Sequence, residues 1–536
     1  MQPIDWVVIL AYLGSMIGLS VYLSRGQSNN EDYYVGGRNL PWLAIGISTM
    51  ATQTSSNSFV GIPSWVALKQ GGGWNWLQYE LAVPLAIALV ALLLLPFFRK
   101  LELVSVYEYL EFRFDALTRR ALSALFLLSR SLGTGAGLYG ASIVLSVCLD
   151  LDMEQTIILL GVAILIYDTI GGIAAVVWSD VIQMVILIAG LGICVGYAVV
   201  EVGGWSELFT HFPTERTAII DPHHGFGDGS STAFWGFLFG GLVLYVSYYG
   251  VDQSQVQRAL STKNPDETRL SLVMNGFLRL PLTCLYLLLG MALWGAYTHN
   301  LELQELINQA IAERGDPNFF VPVYVMEQIP PGLRSVIFAA ILAAAMSSLD
   351  SSINSISAVT MRDFIEQWVK LDDRKTLFLS KVVTVIWGVI ITLMALWISQ
   401  MDGRDTLVEI VNKIGSVFYG PLLAAFLLGV LSRRVTGPAV LIGVGAGLGL
   451  NVFLWLALEH QIFWMWWNVT GCALSVGAAY AVAPFCGRAS EEQTAKYTLA
   501  GTGALQKERP WLPVYLSLVG YFIVVIVLFV VWTATR

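Results

Sequence analysis

The sequence predicts an all-α protein that crosses a membrane about fourteen times. Three observations carry this. Of 536 residues, 56% are hydrophobic and only 13% are charged, where soluble domains average about 25% charged. The apolar residues fall into long runs, and a helix of roughly 20 apolar residues crosses the hydrocarbon of a bilayer. The basic residues gather in alternate connections between those runs. Such a composition excludes a soluble enzyme and a disordered chain, and a net charge of −8 leaves no basic footprint for nucleic acid. Helices fit these runs better than barrel strands, because each helix satisfies its own backbone in lipid.

The first run, at 5–24, starts beside Asp5 with no basic residue before it and no clear cleavage site. It reads as a retained span rather than a signal peptide. The second, at 42–67, contains Thr49, Thr52, Gln53, Thr54, Ser55, Ser56, Asn57 and Ser58, then Gly61 and Pro63. A regular helix would turn some of these toward lipid. A polar run followed by Gly and Pro therefore predicts a broken helix whose freed carbonyls line a cavity and can coordinate a monovalent cation. Spans at 78–98, 121–149, 156–177 and 179–201 follow. The seventh, at 234–256, ends in YVSYYGVDQSQVQRAL. There Tyr245, Tyr248 and Tyr249 flank Gly250, as an aromatic belt or as a cap over a substrate.

After the span at 270–297 comes the densest polar patch, in 332–360. Ser347, Asp350, Ser351 and Asn354 recur at i, i+3, i+4 and i+7, so they share one helix face. Small hydroxyl residues also suit a helix seam. An aspartate among hydroxyls is instead the oxygen chemistry of a small hard cation. Spans at 375–399, 407–431, 436–458, 462–484 and 512–534 complete the count. The segment at 485–511 reads as a polar linker. The glycine runs at 133–137 and 443–449 lack the Lys-Ser/Thr of a phosphate loop and read as close helix packing. Five dispersed cysteines form no CxxC and no Cys/His cluster, which argues against a disulfide framework or zinc site.

Ionisable residues inside spans are expensive and mark function by default. They include Glu80, Arg130, Asp168, Asp180, Asp252, Arg279, Asp350, Glu409 and Lys413. Asp168, Lys381, Glu409 and Lys413 sit near span ends, where a side chain can snorkel to the headgroups. Orientation follows from the basic residues. Twenty of the thirty Lys and Arg fall on one side, among them Arg25, Arg38, Arg99, Arg258, Lys370 and Arg433. Six fall on the other: Lys69, Arg216, Arg314, Arg334, Arg404 and Arg536. The positive-inside rule then places both termini outside. The whole of 1–536 reads as a single transmembrane domain. Its partners are a small-molecule solute and the lipid bilayer, with no nucleic acid and no obligatory protein partner evident. No nucleotide motif and no catalytic His/Asp/Ser spacing is present, so the chain does not read as an enzyme.

Several segments together resemble the solute:sodium symporter family, which includes sodium/glucose, proline, sialic acid, iodide and multivitamin transporters. They are DYYVGGRNLPW at 32–42, SVYEYLEFRF at 105–114, GGIAAVVWSDVIQ at 171–183, YGVDQSQVQRAL at 249–260, AAAMSSLDSSINSISAVTMRDF at 343–364 and FYGPLLAAFLLG at 418–429. The resemblance implies a LeuT-like fold, in which ten core helices (42–431 here) form a five-plus-five inverted repeat. The helices at 5–24, 436–458, 462–484 and 512–534 would then be peripheral. It implies a sodium site on the carbonyls of Ala51, Thr54 and Ala344 and the hydroxyls of Ser347 and Ser348. Some members hold a second sodium, which here would fall to Asp180, Ser347, Asp350 and Ser351. Asp350 departs from the hydroxyl usual there and could strengthen that site or take a proton.

Substrate contacts carry over to Gln53, Ser58, Glu80, Arg279 and Asn412, with Tyr248 as the inner gate. Ser58 replaces an amide expected for a sugar, and Arg279 stands where a lysine occurs. An arginine suits a carboxylate through paired hydrogen bonds, so the expected cargo is a small organic anion or zwitterion. The function implied is sodium-coupled symport by alternating access, with Na+ as the coupling ion in one or two copies. Its rivals are a proton-coupled carrier using Asp180 and Asp350, a sodium/sugar symporter, and a membrane sensor or channel on the same fold.

Overall fold

The computed structural model describes residues 1–25, 27–149, 151–369, 372–400 and 407–535. Of the basic residues counted above, Lys370, Arg404 and Arg536 lie outside the described residues. Among the described residues the chain is helical, apart from turns, loops and two isolated bridges, Leu40 with Thr262 and Phe226 with Ile462.

The helices that matter for the site run in chain order. They are α1 (Pro3–Ser24), α2 (Asn30–Val35), α3 (Trp42–Gln53), α4 (Ser56–Ala67), α5 (Trp74–Leu93), α6 (Ala116–Leu149), α7 (Met153–Glu201) and α8 (Gly241–Gly250). Then come α9 (Gln253–Leu260), α10 (Pro265–His299), α11 (Leu333–Thr360), α12 (Asp373–Ile398), α13 (Leu407–Leu431), α14 (Gly437–Leu458), α15 (Trp466–Val482) and α16 (Leu512–Thr535).

Eleven described helices are long and apolar enough to cross a membrane by themselves, and 153–166 and 236–250 are shorter apolar pieces. With the interrupted pair α3/α4, this matches the fourteen spans expected. The single long helix α7 is two spans joined at Gly172, whose φ of 60° and ψ of −175° suit only glycine. A Cβ there would also lie 2.8 Å from the Tyr33 carbonyl. α11 is central, with 89% of its apolar window buried, against 22% for α16 at the lipid boundary.

Two helices are broken, each the first of a five-span half, as an inverted repeat requires. The first break falls at Thr54 and Ser55, inside the polar run, and not at Gly61 or Pro63, which lie within α4. Hydroxyls bond backward along the helix beside it: Thr52 Oγ1 donates to the Ser48 carbonyl at 2.9 Å and Thr54 Oγ1 to the Met50 carbonyl at 2.8 Å. The second break falls at Val251 and Asp252. Asp252 Oδ1 accepts from the Ser254 N–H at 2.9 Å and so starts α9 afresh.

Two sequence readings change. The 485–511 segment is not a loose linker. Its Glu508 is buried and accepts from Arg269 at 2.5 and 3.0 Å, and the Tyr497 carbonyl accepts from Tyr109 Oη at 2.8 Å. Arg258, counted with the inner loops, is fully buried, because α9 folds back into the bundle. The glycine run at 443–449 does serve close packing, since a Cβ on Gly443 would meet the Ser475 carbonyl at 2.3 Å. At 133–137 only Gly135 packs tightly, on Met394, while Gly133 and Gly137 line a cavity.

Candidate functional site

The first break and α11 meet through hydroxyls and carbonyls. Thr54 has left helical geometry, at φ −97° and ψ 71°, and its N–H donates to the Ala51 carbonyl at 2.9 Å. Ser348 Oγ donates across to the Thr52 carbonyl at 2.9 Å and lies 3.3 Å from the Ala344 carbonyl. Ser347 Oγ is buried without a hydrogen-bond partner. Ser348 therefore joins Ala344 of α11 to the Thr52 carbonyl at the break, where Thr54 is held to Ala51, and Ser347 stands one residue before Ser348 on α11. Neutral oxygens with one orphaned hydroxyl are a donor set that fits sodium. Among the described residues no group of three His, Cys, Asp or Glu could hold a transition metal.

Beside this cluster lies a buried charge cluster that the sequence reading only half anticipated. Asp180 accepts from Ser48 and pairs with Arg258 Nη2 at 3.0 Å, both side chains fully buried. Arg258 also donates from Nε to Ser48 Oγ at 2.6 Å, from Nη1 to the Ser254 carbonyl at 2.5 Å, and to Ser351 Oγ. Thr52 Oγ1 lies 3.1 Å from Ser351 Oγ. Asp350 Oδ1 accepts from the Ser351 N–H at 2.6 Å. Asp350 Oδ2 and Asp180 Oδ1 are buried without partners. Asp180, Asp350 and Ser351 thus come together as expected, but with a guanidinium among them. Arg258 had a signal: it stands four residues after Ser254 in a polar half-helix that is buried throughout.

Both breaks open onto one cavity of about 150 Å³. Gln53, Ser58, Glu80, Tyr248, Arg279 and Asn412 all line it. Glu80 and Arg279 form a buried pair: Nε and Nη2 of Arg279 each lie 3.1 Å from a carboxylate oxygen of Glu80. Tyr245 Oη and Thr283 Oγ1 add bonds to Glu80 at 3.0 and 3.1 Å. Arg279 Nη1 donates to Thr54 Oγ1 at 3.1 Å. The guanidinium expected to face a substrate is therefore largely held by Glu80, and its remaining bond reaches the break.

A second pair faces it across the cavity. Arg130 Nη1 lies 3.2 Å from Asp252 Oδ2, Nε donates to Ser352 Oγ at 3.0 Å, and the guanidinium sits 5.9 Å from the Tyr248 ring centroid. Arg130 is the more accessible of the two arginines, 13% against 6% for the side chain. Sequence reading noted it as a charge at membrane depth without giving it this place. Asn57 was also missed. It lines the cavity, and its Oδ1 is buried without a partner. An aromatic wall completes the space. Tyr249 Oη donates to Gln53 at 2.7 Å, Tyr79 Oη to Asn412 at 2.8 Å, and Gln255 Nε2 to Tyr248 Oη at 2.8 Å.

Comparison with known proteins gives a consistent result. The model of the sodium:solute symporter family matches residues 33–447. The sodium/sialic acid symporter NanT of Aliivibrio fischeri is 30% identical over 491 residues, covering 90% of this chain and 93% of the relative. The sodium/iodide cotransporter of Homo sapiens is 32% identical over 461 residues, covering 85% and 69%. Sodium-coupled monocarboxylate transporter 1 of Homo sapiens is 29% identical, covering 86% and 74%. Among solved structures, a Na+-coupled sialic acid symporter in a substrate-bound outward-open state is similar with a TM-score of 0.80 and 27% identity, covering 91% of this chain and 99% of that one. The nucleobase-cation-symport transporter Mhp1, at a TM-score of 0.53 and 13% identity, shares the fold.

Proposed function

The chain belongs to the sodium:solute symporter family, and from that premise we propose that it carries a small organic carboxylate or zwitterion across the cell membrane together with sodium. The observation that carries this reading is the contact of two sites through one residue. Thr52 accepts the Ser348 hydroxyl on its carbonyl at 2.9 Å and also lines the cavity, and two residues on Thr54 Oγ1 takes a hydrogen bond from Arg279 in the cavity wall. A cation bound to the carbonyls of Ala51, Thr54 and Ala344 and the hydroxyls of Ser347 and Ser348 would fix the break against α11. That would hold Gln53, Ser58 and Asn57 in place for the solute.

The solute's carboxylate would meet Arg130, the more accessible guanidinium, and a donor group would meet Asn57 Oδ1. Glu80 and Arg279 position each other and shape the wall, and Tyr248 gates the inner side. The paired charges make the cavity nearly neutral, which suits a zwitterion or a monoanion better than a polyanion. A second coupling ion would use Asp180, Asp350 and Ser351 with Ser347, beside the charge of Arg258. Both termini face outside in this reading, and the ten helices between 42 and 431 do the moving. Each sodium entering with the membrane potential supplies about 2.3 kcal/mol per 100 mV, and a tenfold gradient adds about 1.4 kcal/mol.

The test is uptake into proteoliposomes of three labelled probes: a sialic acid, a short monocarboxylate and iodide. An inward sodium gradient should drive accumulation of at least one organic acid, and an equal potassium gradient should not. Accumulation that follows a pH gradient and ignores sodium would overturn the reading.

A further inference from the structure

Asp168 lies in α7 one turn before the Gly172 kink, and nothing above gives it a task. A carboxylate near a span end is expected to reach the headgroups. This one does not: the residue is 2% exposed, and neither carboxylate oxygen has a hydrogen-bond partner. A bare carboxylate buried in that way is prohibitively costly unless something neutralises it.

Its surroundings are oxygen-rich and equally unsatisfied. Residues three and four positions on share its helix face, and these are Gly171 and Gly172. A Cβ on Gly171 would lie 3.0 Å from Ser20 Oγ, and one on Gly172 would lie 2.8 Å from Tyr33 Cδ2 and the Tyr33 carbonyl and 2.9 Å from Gln27 Nε2. Gln27 is anchored there by its Nε2, which donates to the Gly171 carbonyl at 2.5 Å. That turns its Oε1 into a free acceptor. Ser20 Oγ and Gln27 Oε1 are buried without hydrogen-bond partners, and Tyr33 Oη is buried beside Thr384. The charge of Asp168 acts on the Tyr33 phenol and on Asp350. Ser20 and Gln27 thus bring unpartnered oxygens to the helix beside Gly171, three residues from Asp168, and no basic side chain is hydrogen-bonded to the carboxylate.

The position connects two known places. On one side, Asp168 shares α7 with Asp180, across the Gly172 kink. On the other, the Tyr33 ring packs edge-on against Tyr34 at 5.0 Å between centroids. Tyr34 walls a polar groove in which Arg38 pairs with Glu31 and Arg362 with Glu366, leaving Glu102 as a further acid. The groove reaches the surface, where the Glu31 side chain is 56% exposed.

We propose that Asp168, with Ser20 Oγ, Gln27 Oε1 and Tyr33 Oη, forms a separate monovalent-cation site, a station between the Asp180–Asp350 cluster and the Tyr34-walled groove. Sodium leaving the coupling site would pause here before entering the groove. The proposal rests on the sodium-coupled reading for its choice of ion.

The experiment measures binding apart from transport. Equilibrium binding of 22Na+ to the purified full-length protein in detergent is compared for wild type, Asp168→Asn and Tyr33→Phe, with sodium-dependent thermal shifts on the same samples. Asp168→Asn is expected to weaken one class of sodium binding at least tenfold, and Tyr33→Phe less. Without sodium, Asp168→Asn should melt at the same temperature as wild type or higher, because it removes an uncompensated buried charge. It should lose part of the stabilisation that sodium confers. Binding curves for Asp168→Asn that superimpose on wild type would overturn the proposal, for then the acid merely holds a proton. If wild type binds sodium through Asp168 while uptake ignores the sodium gradient, the station stands and the coupling reading falls. If uptake follows sodium and Asp168→Asn binds normally, the reverse holds.

Discussion

At the first break, Ser348 of α11 donates to the Thr52 carbonyl and the Thr54 N–H donates to the Ala51 carbonyl. At the second, Asp252 caps the following half-helix and carries a charge that Arg130 answers. The same device, an interrupted helix at membrane depth, is thus used twice with different chemistry. The first break exposes neutral oxygens and is touched by one guanidinium, that of Arg279 on Thr54 Oγ1. The second break already holds its own charge in balance, so it can face a charged or dipolar solute without an ion of its own. Arg258 belongs to the second broken helix yet bonds Ser48 of the first. It therefore ties the two breaks into one mechanical unit.

Removing that tie should have the largest effect. Arg258→Met leaves Asp180 buried and unpaired, and breaking one partner of such a pair costs about 3–5 kcal/mol. Thermal unfolding in detergent should show a large loss of stability. An unchanged melting temperature would mean that the breaks do not depend on Arg258. The second break comes next. Arg130→Lys keeps the charge but loses the planar fork, and a hydrogen bond to a charged group is worth about 1.5–3 kcal/mol. The KM for solute should rise by about tenfold or more, with the sodium needed for half-maximal uptake nearly unchanged. Equal effects on both would erase the division of labour between the breaks.

Ser348→Ala tests the first break from its other wall. Half-maximal uptake should need about tenfold more sodium, equivalent to about 1.4 kcal/mol, and the KM at saturating sodium should barely move. An unchanged sodium dependence removes Ser348 from the cation site. Tyr248→Phe should do least. It deletes one hydrogen bond, to Gln255, worth about 0.5–1.5 kcal/mol. A modest fall in transport rate measured by initial uptake is expected. A hundredfold loss would make Tyr248 more than a gate residue.

Much of this was legible in the chain because period and polarity act locally. The Ser347–Asp350–Ser351 face follows from helical spacing alone, and the broken second span follows from too many hydroxyls for one helix in lipid. The position of that break was not legible. The chain leaves helical geometry at Thr54, whereas Ser64 in α4 makes the same backward hydroxyl bond within an unbroken helix, so the hydroxyls alone do not mark the place. Partners distant in sequence were equally hidden. Glu80 stands 199 residues from Arg279. Nothing local says that this arginine is already occupied, or that Arg130 has the more open side.

The sequence by itself determined the membrane class, the number of crossings and the helix faces that carry oxygen, since these follow from the cost of polar groups in hydrocarbon and from a 3.6-residue period. Tertiary structure decided which charges are paired and which are left over. It placed Arg258 against Asp180, gave Arg279 to Glu80, and left the Asp168 carboxylate buried without a hydrogen-bond partner. A charge's meaning at membrane depth is set by its neighbours within a few ångströms, and those neighbours come from the packing of helices far apart in the chain.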